Sequence, residues 1–233
     1  ISELVTSNGI TTDFTGPHGT WVIDGDSSDI DWQNYTDSYS GYWLHFIEEG
    51  SGFKTHEYAL YNNDNSQYIT SWTATLDTSS NITGIALAEN QTYSLHVRGI
   101  DSVDNVGDVL MSDGVLVDLS APAAPMNLVG WFSTERIYLV WDQNEEADLD
   151  HYSIYGGTEM NSSTLLFTTT DSIAEAFMPE FEDSITYYLR ITATDIPGNE
   201  SAFTTDVMGI PQPAAITRIN PDPINFLNAG DTQ

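Results

Sequence analysis

The acidic loop at residues 24–31, DGDSSDID, is the densest group of residues that could bind a cation. Calcium takes about six to eight oxygen ligands from carboxylates and loop carbonyls, and a backbone of glycine and serine is pliable enough to supply the carbonyls. The spacing does not match an EF-hand, which needs a glycine after its third acidic position and a closing glutamate. The loop is either a calcium site or a solvated acidic turn, and its candidate ligands are Asp24, Asp26, Asp29 and Asp31.

Two further candidates follow strand-like segments, where the sequence reads Asp-x-x-x-Asn at 101–105 and 195–199. Asp101, Asp104 and Asp195 could place carboxylates near the end of a domain, where a cation would stiffen a junction. The alternative is turn chemistry, because Asp and Asn side chains close turns on their own backbone.

Aromatic residues crowd the first half of the chain and could form a carbohydrate platform, since sugar rings stack on aromatic faces beside polar groups. Trp32 and Trp72 are the candidate ligand contacts, because they lie outside the clearest alternating strands. The alternative for these aromatics is packing in the core and across neighbouring strands.

No catalytic pattern is present. The five histidines have no metal-ligand spacing, and the chain has neither a Gly-x-Ser-x-Gly elbow nor a phosphate-binding glycine loop. With no cysteine, thiol nucleophiles, thiolate metal sites and disulfides are excluded. We expect no enzymatic activity.

The charge balance restricts the partners and the location. Five Lys and Arg face 35 Asp and Glu, giving a net charge of −30, which disfavours nucleic acid and anionic membranes. No apolar run approaches the ~18 residues of a membrane span. We expect an extracellular or cell-surface protein with no membrane insertion.

The elements that must position these residues are short strands. Apolar and polar residues alternate with a period of two, and no long stretch has a capped helical period. YSLHVRGIDSVDN at 93–105 aligns with YYLRITATDIPGN at 187–199 at an offset of 94. Such a repeat indicates two copies of one domain.

A second repeat suggests where the domains end. GITTDFTGP at 9–17 returns as GVLVDLSAP at 114–122. We predict a strand of a preceding module at 1–17, a first β-sandwich at 18–122, a second at 123–213, and the start of a following module or a tail at 214–233.

These residues resemble the fibronectin type III-like and related Ig-like modules of bacterial extracellular proteins. The entry prolines Pro122 and Pro125, then Trp141, Tyr152 and the segment Tyr187–Asn199 carry the resemblance, and the first module looks like a divergent relative. The resemblance implies an all-β fold of tandem Ig-like/fibronectin type III-like β-sandwiches with about seven strands each.

Two functions follow from this organisation. The first is a structural or adhesive stalk in a long bacterial surface or filament protein, in contact with neighbouring modules of its own chain and, by strand pairing, with other copies. The second is a carbohydrate-binding accessory module of a secreted glycan-active enzyme. The expected ligands are Ca²⁺ at the acidic loops and glycans at the aromatics.

Overall fold

A computed structural model describes residues 9–133, 136–177, 182 and 184–211. The chain divides into two compact units: the first comprises the chain up to Ala121 and the short segment Ile196–Asn199, and the second comprises Pro122–Asp195 and the chain from Glu200. Every regular element in the described ranges is a β-strand. The predicted all-β class is therefore confirmed.

The first unit is a sandwich of two sheets. The smaller sheet has the order β1-β3-β7, formed by Val22–Asp24, Ser38–Trp43 and Ser79–Thr83. The larger sheet has the order β2-β10-β8-β4-β5, formed by Trp32–Gln33, Val115–Val117, Thr92–Asp101, Phe53–Asn62 and Gln67–Tyr68. Two short strands complete it: β6 (Thr73–Thr75) on β4 and β9 (Leu110–Met111) on β8.

Alternation along β8 builds the core of this unit. Tyr93, Leu95 and Val97 point inward and are at most 2% exposed, as expected when successive strand residues face opposite sides. Trp43 of β3 lies between the two sheets and is fully buried. Among the described residues, Trp43 is the largest side chain that is fully buried.

The second unit repeats this architecture with its own core. One sheet has the order β11-β12-β15 and the other β14-β13-β16-β17. The strands are β11 (Met126–Ser133), β12 (Arg136–Asp142), β13 (Leu149–Gly157), β14 (Leu165–Thr169), β15 (Ile173–Phe177), β16 (Tyr187–Asp195) and β17 (Val207–Gly209). Trp141, Tyr152 and Ile191 are among the buried residues that fill it.

Local backbone geometry repeats at the sequence offset of 94. Asn90 and Ser184 both have positive φ, and each precedes its unit's long central strand. In the hairpin loops the left-handed residue is Asp104 after β8 and Gly198 after β16, with φ of 70° and 94°. The aligned segments therefore share turns as well as strands.

Two of the predicted segments lie at the ends of the chain, at 1–17 and 214–233. Residues 9–17 form no strand; Asp13 within them accepts a hydrogen bond from the backbone N–H of Ser51 at 2.8 Å, so this segment lies on the first unit. Its origin in a preceding module stays a prediction. The predicted start of a following module at 214–233 lies outside the described residues.

Candidate functional site

Asp24 of the acidic loop is a fully buried carboxyl group rather than a solvent-facing one. Its Oδ2 accepts a hydrogen bond from the backbone N–H of Gly114 at 2.9 Å, and its Oδ1 is hydrogen-bonded to the phenol of Tyr39. Burial raises the pKa of Asp24, partly offset by hydrogen bonds from Ser112, Tyr39 and Gly114. Asp24 thus joins the start of β10 to β3 across the sandwich.

The structure brings only part of the acidic loop together. Asp29 accepts a hydrogen bond from the backbone N–H of Asp24 at 3.1 Å, and Asp24, Asp29 and Asp113 place one carboxylate oxygen each within 4.8 Å of one another. Asp26 and Asp31 are exposed and lie outside this group. Sequence reasoning missed Asp113, which is distant in the chain and carries no local signal.

The first hairpin loop is closed by its own side chains. Asp101 Oδ1 accepts hydrogen bonds from the backbone N–H groups of Val103 and Asn105 at 3.0 and 2.7 Å, and Oδ2 accepts one from Asn105 Nδ2 at 2.7 Å. Burial alone would raise the pKa of Asp101, but the hydrogen bonds from Asn105, Ser51 and Val103 outweigh it and lower the pKa. The turn chemistry considered as the alternative is present at this site.

A second group of carboxylates forms around Asp101. Asp13, Glu48 and Asp101 place one oxygen each within 4.8 Å of one another. Hydrogen bonds from Thr15 and then Ser51 lower the pKa of Asp13 to about 2, so this carboxylate is ionised at physiological pH. Asn105 Nδ2 also donates to the Asp13 carbonyl at 3.2 Å. The sequence does not predict Asp13 as a ligand, because its place in the repeated phrase at 9–17 indicates only the end of a strand.

The two remaining metal candidates, Asp104 and Asp195, are not members of this group. Asp104 is exposed and forms an ion pair with Lys54. Asp195 is buried at the end of β16 in the second unit.

The outer face of the larger sheet in the first unit carries an aromatic patch, which we define as Tyr61, Tyr68, Trp72, His96 and Arg98. Tyr61 stacks on His96 with ring centroids 4.5 Å apart and an interplanar angle of 20°. Tyr68 contacts three of its neighbours: its ring centroid lies 5.0 Å from Tyr61 and 5.4 Å from Trp72, and its hydroxyl is hydrogen-bonded to His96 Nδ1 at 3.0 Å. Burial lowers the pKa of His96.

An arginine holds the tryptophan of the patch. The guanidinium carbon of Arg98 lies 4.1 Å from the centroid of the Trp72 ring, and Arg98 Nε and Nη2 donate to Glu57 Oε2 at 2.9 and 2.6 Å. The register of β4 and β8 pairs Glu57 with Arg98, which explains the contact. The ion pair is only partly exposed, at 26% for Arg98 and 20% for Glu57.

The structure does not join the two candidate tryptophans. Trp32 lies on β2, separated from β4 by β10 and β8, whereas Trp72 comes just before β6, which pairs with β4. Trp72 is thus surrounded by the aromatic patch, and Trp32 belongs to the opposite edge of the sheet.

A related contact lies in the second unit. Arg190 places its guanidinium carbon 3.6 Å from the centroid of Phe203, but two backbone carbonyls, those of Ser162 and Asn161, hold this arginine. Tyr155 lies edge-on to Phe203 at 5.1 Å and donates its hydroxyl to Glu200.

Comparison with solved structures identifies the architecture. The chain is similar to the FN1-FN3 domains of chicken CNTN1, with a TM-score of 0.53 and 12% identity over 87% of this chain and 70% of that one. The chain has the fibronectin type III fold. It is also similar to the fibronectin(III)-like modules of Clostridium thermocellum CbhA, with a TM-score of 0.48 and 13% identity over 84% of this chain and 96% of that one. No family model matches the sequence, and no curated protein matches it.

The two carboxylate groups and the aromatic patch lie at separate places on the first fibronectin type III-like unit. The Asp13–Glu48–Asp101 group lies at the Asp101–Asn105 hairpin, and the Asp24–Asp29–Asp113 group lies where Gly114 precedes β10. The aromatic patch occupies the outward side of β4 and β8. Among the described residues, no helix has the length and apolar character needed to cross a membrane.

Proposed function

We propose that this chain is a pair of non-catalytic fibronectin type III-like modules that act as a stalk within a longer extracellular protein. The observation that carries the proposal is the presence of two separate cores, one around Trp43 and one around Trp141. Each core is filled by residues of its own unit, so each module can resist unfolding by itself.

Composition supports the same role. The net charge of −30 favours solubility outside the cell, and no disulfide is needed because domains of about 100 residues bury enough surface to fold alone. Pro122 and Pro125 follow the first unit and restrict the backbone where the second begins. Extracellular location and absence of enzymatic activity are part of this proposal.

Single-molecule stretching of the full chain tests the stalk function. Two independent cores should give two separate unfolding events, each releasing about 300 Å of chain, because roughly 100 residues extend at about 3.3–3.6 Å each. A Trp141→Ala variant should weaken one event only, since it opens a cavity in one core. A single event that releases the whole chain at once would contradict independent modules.

The second candidate is a carbohydrate-binding accessory module. The aromatic patch favours it, because Trp72 is brought together with Tyr68, His96 and Arg98 on an outward face. Affinity electrophoresis of the full chain through gels containing soluble polysaccharides tests it. Retardation by at least one polysaccharide is expected, and unchanged mobility in all of them would remove this candidate.

Calcium is a separate proposal for the first unit. Of the two carboxylate groups, Asp13–Glu48–Asp101 fits a cation better, because lowered pKa values keep Asp13 and Asp101 ionised. At the other group a cation would compete with a proton, since burial raises the pKa of Asp24. Bound calcium would tie residues 9–17 to the hairpin.

A further inference from the structure

We propose that the aromatic patch binds an uncharged polysaccharide, with Tyr68 and Trp72 stacking on sugar rings and the Arg98–Glu57 pair hydrogen-bonding to hydroxyl groups. This inference rests on the second candidate function, the carbohydrate-binding one, and names its ligand class and contact residues. It follows from ring geometry, local charge and the composition of the surrounding surface.

The rings of the patch are available at the surface. Tyr68 is 46% exposed, and Tyr61 and Trp72 are partly exposed, whereas His96 beneath them is 5% exposed. The rings of Tyr68 and Trp72 are tilted by 53° at a centroid distance of 5.4 Å. Two tilted, exposed rings over a buried base offer ring faces to a ligand at little cost in side-chain entropy.

Arg98 keeps Trp72 in position. The guanidinium lies over the indole ring, and Glu57 fixes the guanidinium from the other side through two hydrogen bonds to Oε2. These bonds use two of the five N–H donors of arginine, so donors remain for ligand hydroxyls. Arg98 is thus both a positioning residue for Trp72 and a ligand contact.

Local charge indicates that the ligand is uncharged. The positive charge of Arg98 is opposed by Glu57 at 2.6 Å, so the patch presents no free cation to an acidic sugar. The chain as a whole carries a net charge of −30, which repels a polyanion. Charge complementarity therefore excludes acidic glycans.

The rim of the patch suits sugar hydroxyls. Residues 63–73, NDNSQYITSWT, contain a single charged residue, although 17% of the chain is charged. Their exposed amides and hydroxyls include Asn63, Asn65, Gln67 and Thr73. Aromatic rings surrounded by uncharged donors and acceptors are the chemistry that glycan sites use.

The size of the patch argues against a protein partner. A stable protein interface covers about 800 Å² on each side. The patch consists of a few partly exposed rings, and its neighbours are exposed polar residues together with the exposed apolar side chains of Ile69 and Met111. These few side chains are too little apolar surface for such an interface but enough for a few sugar units.

The test uses the full chain and affinity electrophoresis with one uncharged and one acidic polysaccharide of similar backbone linkage. We expect retardation by the uncharged polymer, and Trp72→Ala should weaken binding about tenfold or more. Trp21→Ala is the matched control, because Trp21 is a partly exposed tryptophan that packs on Tyr42 outside the patch. Circular dichroism of each variant checks that the fold is retained.

The possible results test carbohydrate binding and its assignment to this patch separately. No retardation in any polysaccharide would remove the carbohydrate-binding function itself. Three results would overturn the assignment of this patch and ligand class while leaving carbohydrate binding in place. In the first, Trp72→Ala is still retarded; in the second, Trp21→Ala loses retardation equally; in the third, only the acidic polymer retards the chain. If Trp72→Ala fails to fold, Arg98→Gln is tested by the same electrophoresis and should also weaken binding. This variant removes N–H donors and the guanidinium that lies over the Trp72 ring.

Discussion

The hydroxyl oxygen of Tyr93 accepts a hydrogen bond from the backbone N–H of Ala88 at 2.9 Å. Tyr187 makes the same contact with Glu182 at the same distance, and both partners are displaced by 94 residues. A tyrosine near the start of this strand that reaches back to upstream backbone is a recurring device in β-sandwiches. Each module therefore ties the loop before its central strand in the same way.

Tyr93→Phe should lower the stability of the first module by about 1 kcal/mol, because it removes one hydrogen bond and little packing. Urea denaturation monitored by tryptophan fluorescence should show the first module's transition at lower urea. Tyr187→Phe is the matched variant and should shift the second module instead. Equal shifts of both transitions by either variant would show that the modules do not unfold independently.

Acid should destabilise the first module through His56. This side chain is fully buried among aromatic rings, and burial, assisted by nearby His45, lowers its pKa from 6.5 to about 4. The unfolded chain takes up a proton near pH 6.5 and the folded module only near pH 4. The contribution of neutral His56 to the free energy of unfolding is therefore complete above about pH 6.5. It falls by up to about 1.4 kcal/mol per pH unit as the pH drops from there toward pH 4.

The measurement is the urea midpoint of the first module between pH 7 and pH 5. His56→Gln should flatten this dependence, whereas His18→Gln, an exposed histidine in the same unit, should leave it unchanged. An unaltered slope in His56→Gln would assign the acid sensitivity to other groups.

Asp24 should have the opposite dependence on pH. Because burial raises its pKa, the folded module binds the proton more tightly than the unfolded chain does. Its contribution is complete below the ordinary pKa of aspartate and is lost as the pH rises through the raised value. Asp24→Asn should remove this loss, while Asp24→Ala should cost about 2–4 kcal/mol because the buried partners Tyr39 and Gly114 lose their acceptor.

Denaturation at pH 4, near the ordinary pKa of aspartate, and at pH 8 distinguishes these variants. We expect Asp24→Asn to have nearly equal stability at both pH values, after correction for the shared slope of the remaining groups. A wild-type module that gains stability between pH 4 and pH 8 while Asp24→Asn does not would contradict a raised pKa.

Calcium should raise the melting temperature of the first module if it binds at the carboxylates around Asp101. Asp13→Asn should abolish this effect, because it removes one of the three carboxylates and weakens the segment that carries it. Asp26→Asn is the control, since Asp26 is exposed and belongs to neither group. Scanning calorimetry with calcium and with a chelator measures the melting temperature of each variant. If Asp13→Asn and Asp26→Asn lose the calcium-dependent rise equally, the effect is nonspecific charge screening.

The strands and turns could be predicted because their signals are local. Alternation identified the strand around Tyr93, and the offset of 94 aligned it with Tyr187, down to the left-handed residues Asp104 and Gly198. Each of these features depends on residues adjacent in sequence. The fold class followed from them.

The composition of the sites could not be predicted in the same way, because it depends on cross-strand register. Arg98 lies over Trp72 only because β4 pairs with β8 on one side and with β6 on the other. Asp113 reaches Asp29 only because the start of β10 lies beside the acidic loop. A sequence shows which residues alternate but not which distant strands become neighbours.

The attachment of residues 9–17 has a consequence for protease digestion. An endoprotease must take several residues of extended backbone into its active site to cut one peptide bond, and here Ser51 and Asn105 hold Asp13 by its carboxylate and its carbonyl. The peptide bonds beside Asp13 should therefore resist endoprotease cleavage while the first unit is folded. Replacing Asn105 with Ala should raise the cleavage rate there, because one of these two attachments is lost.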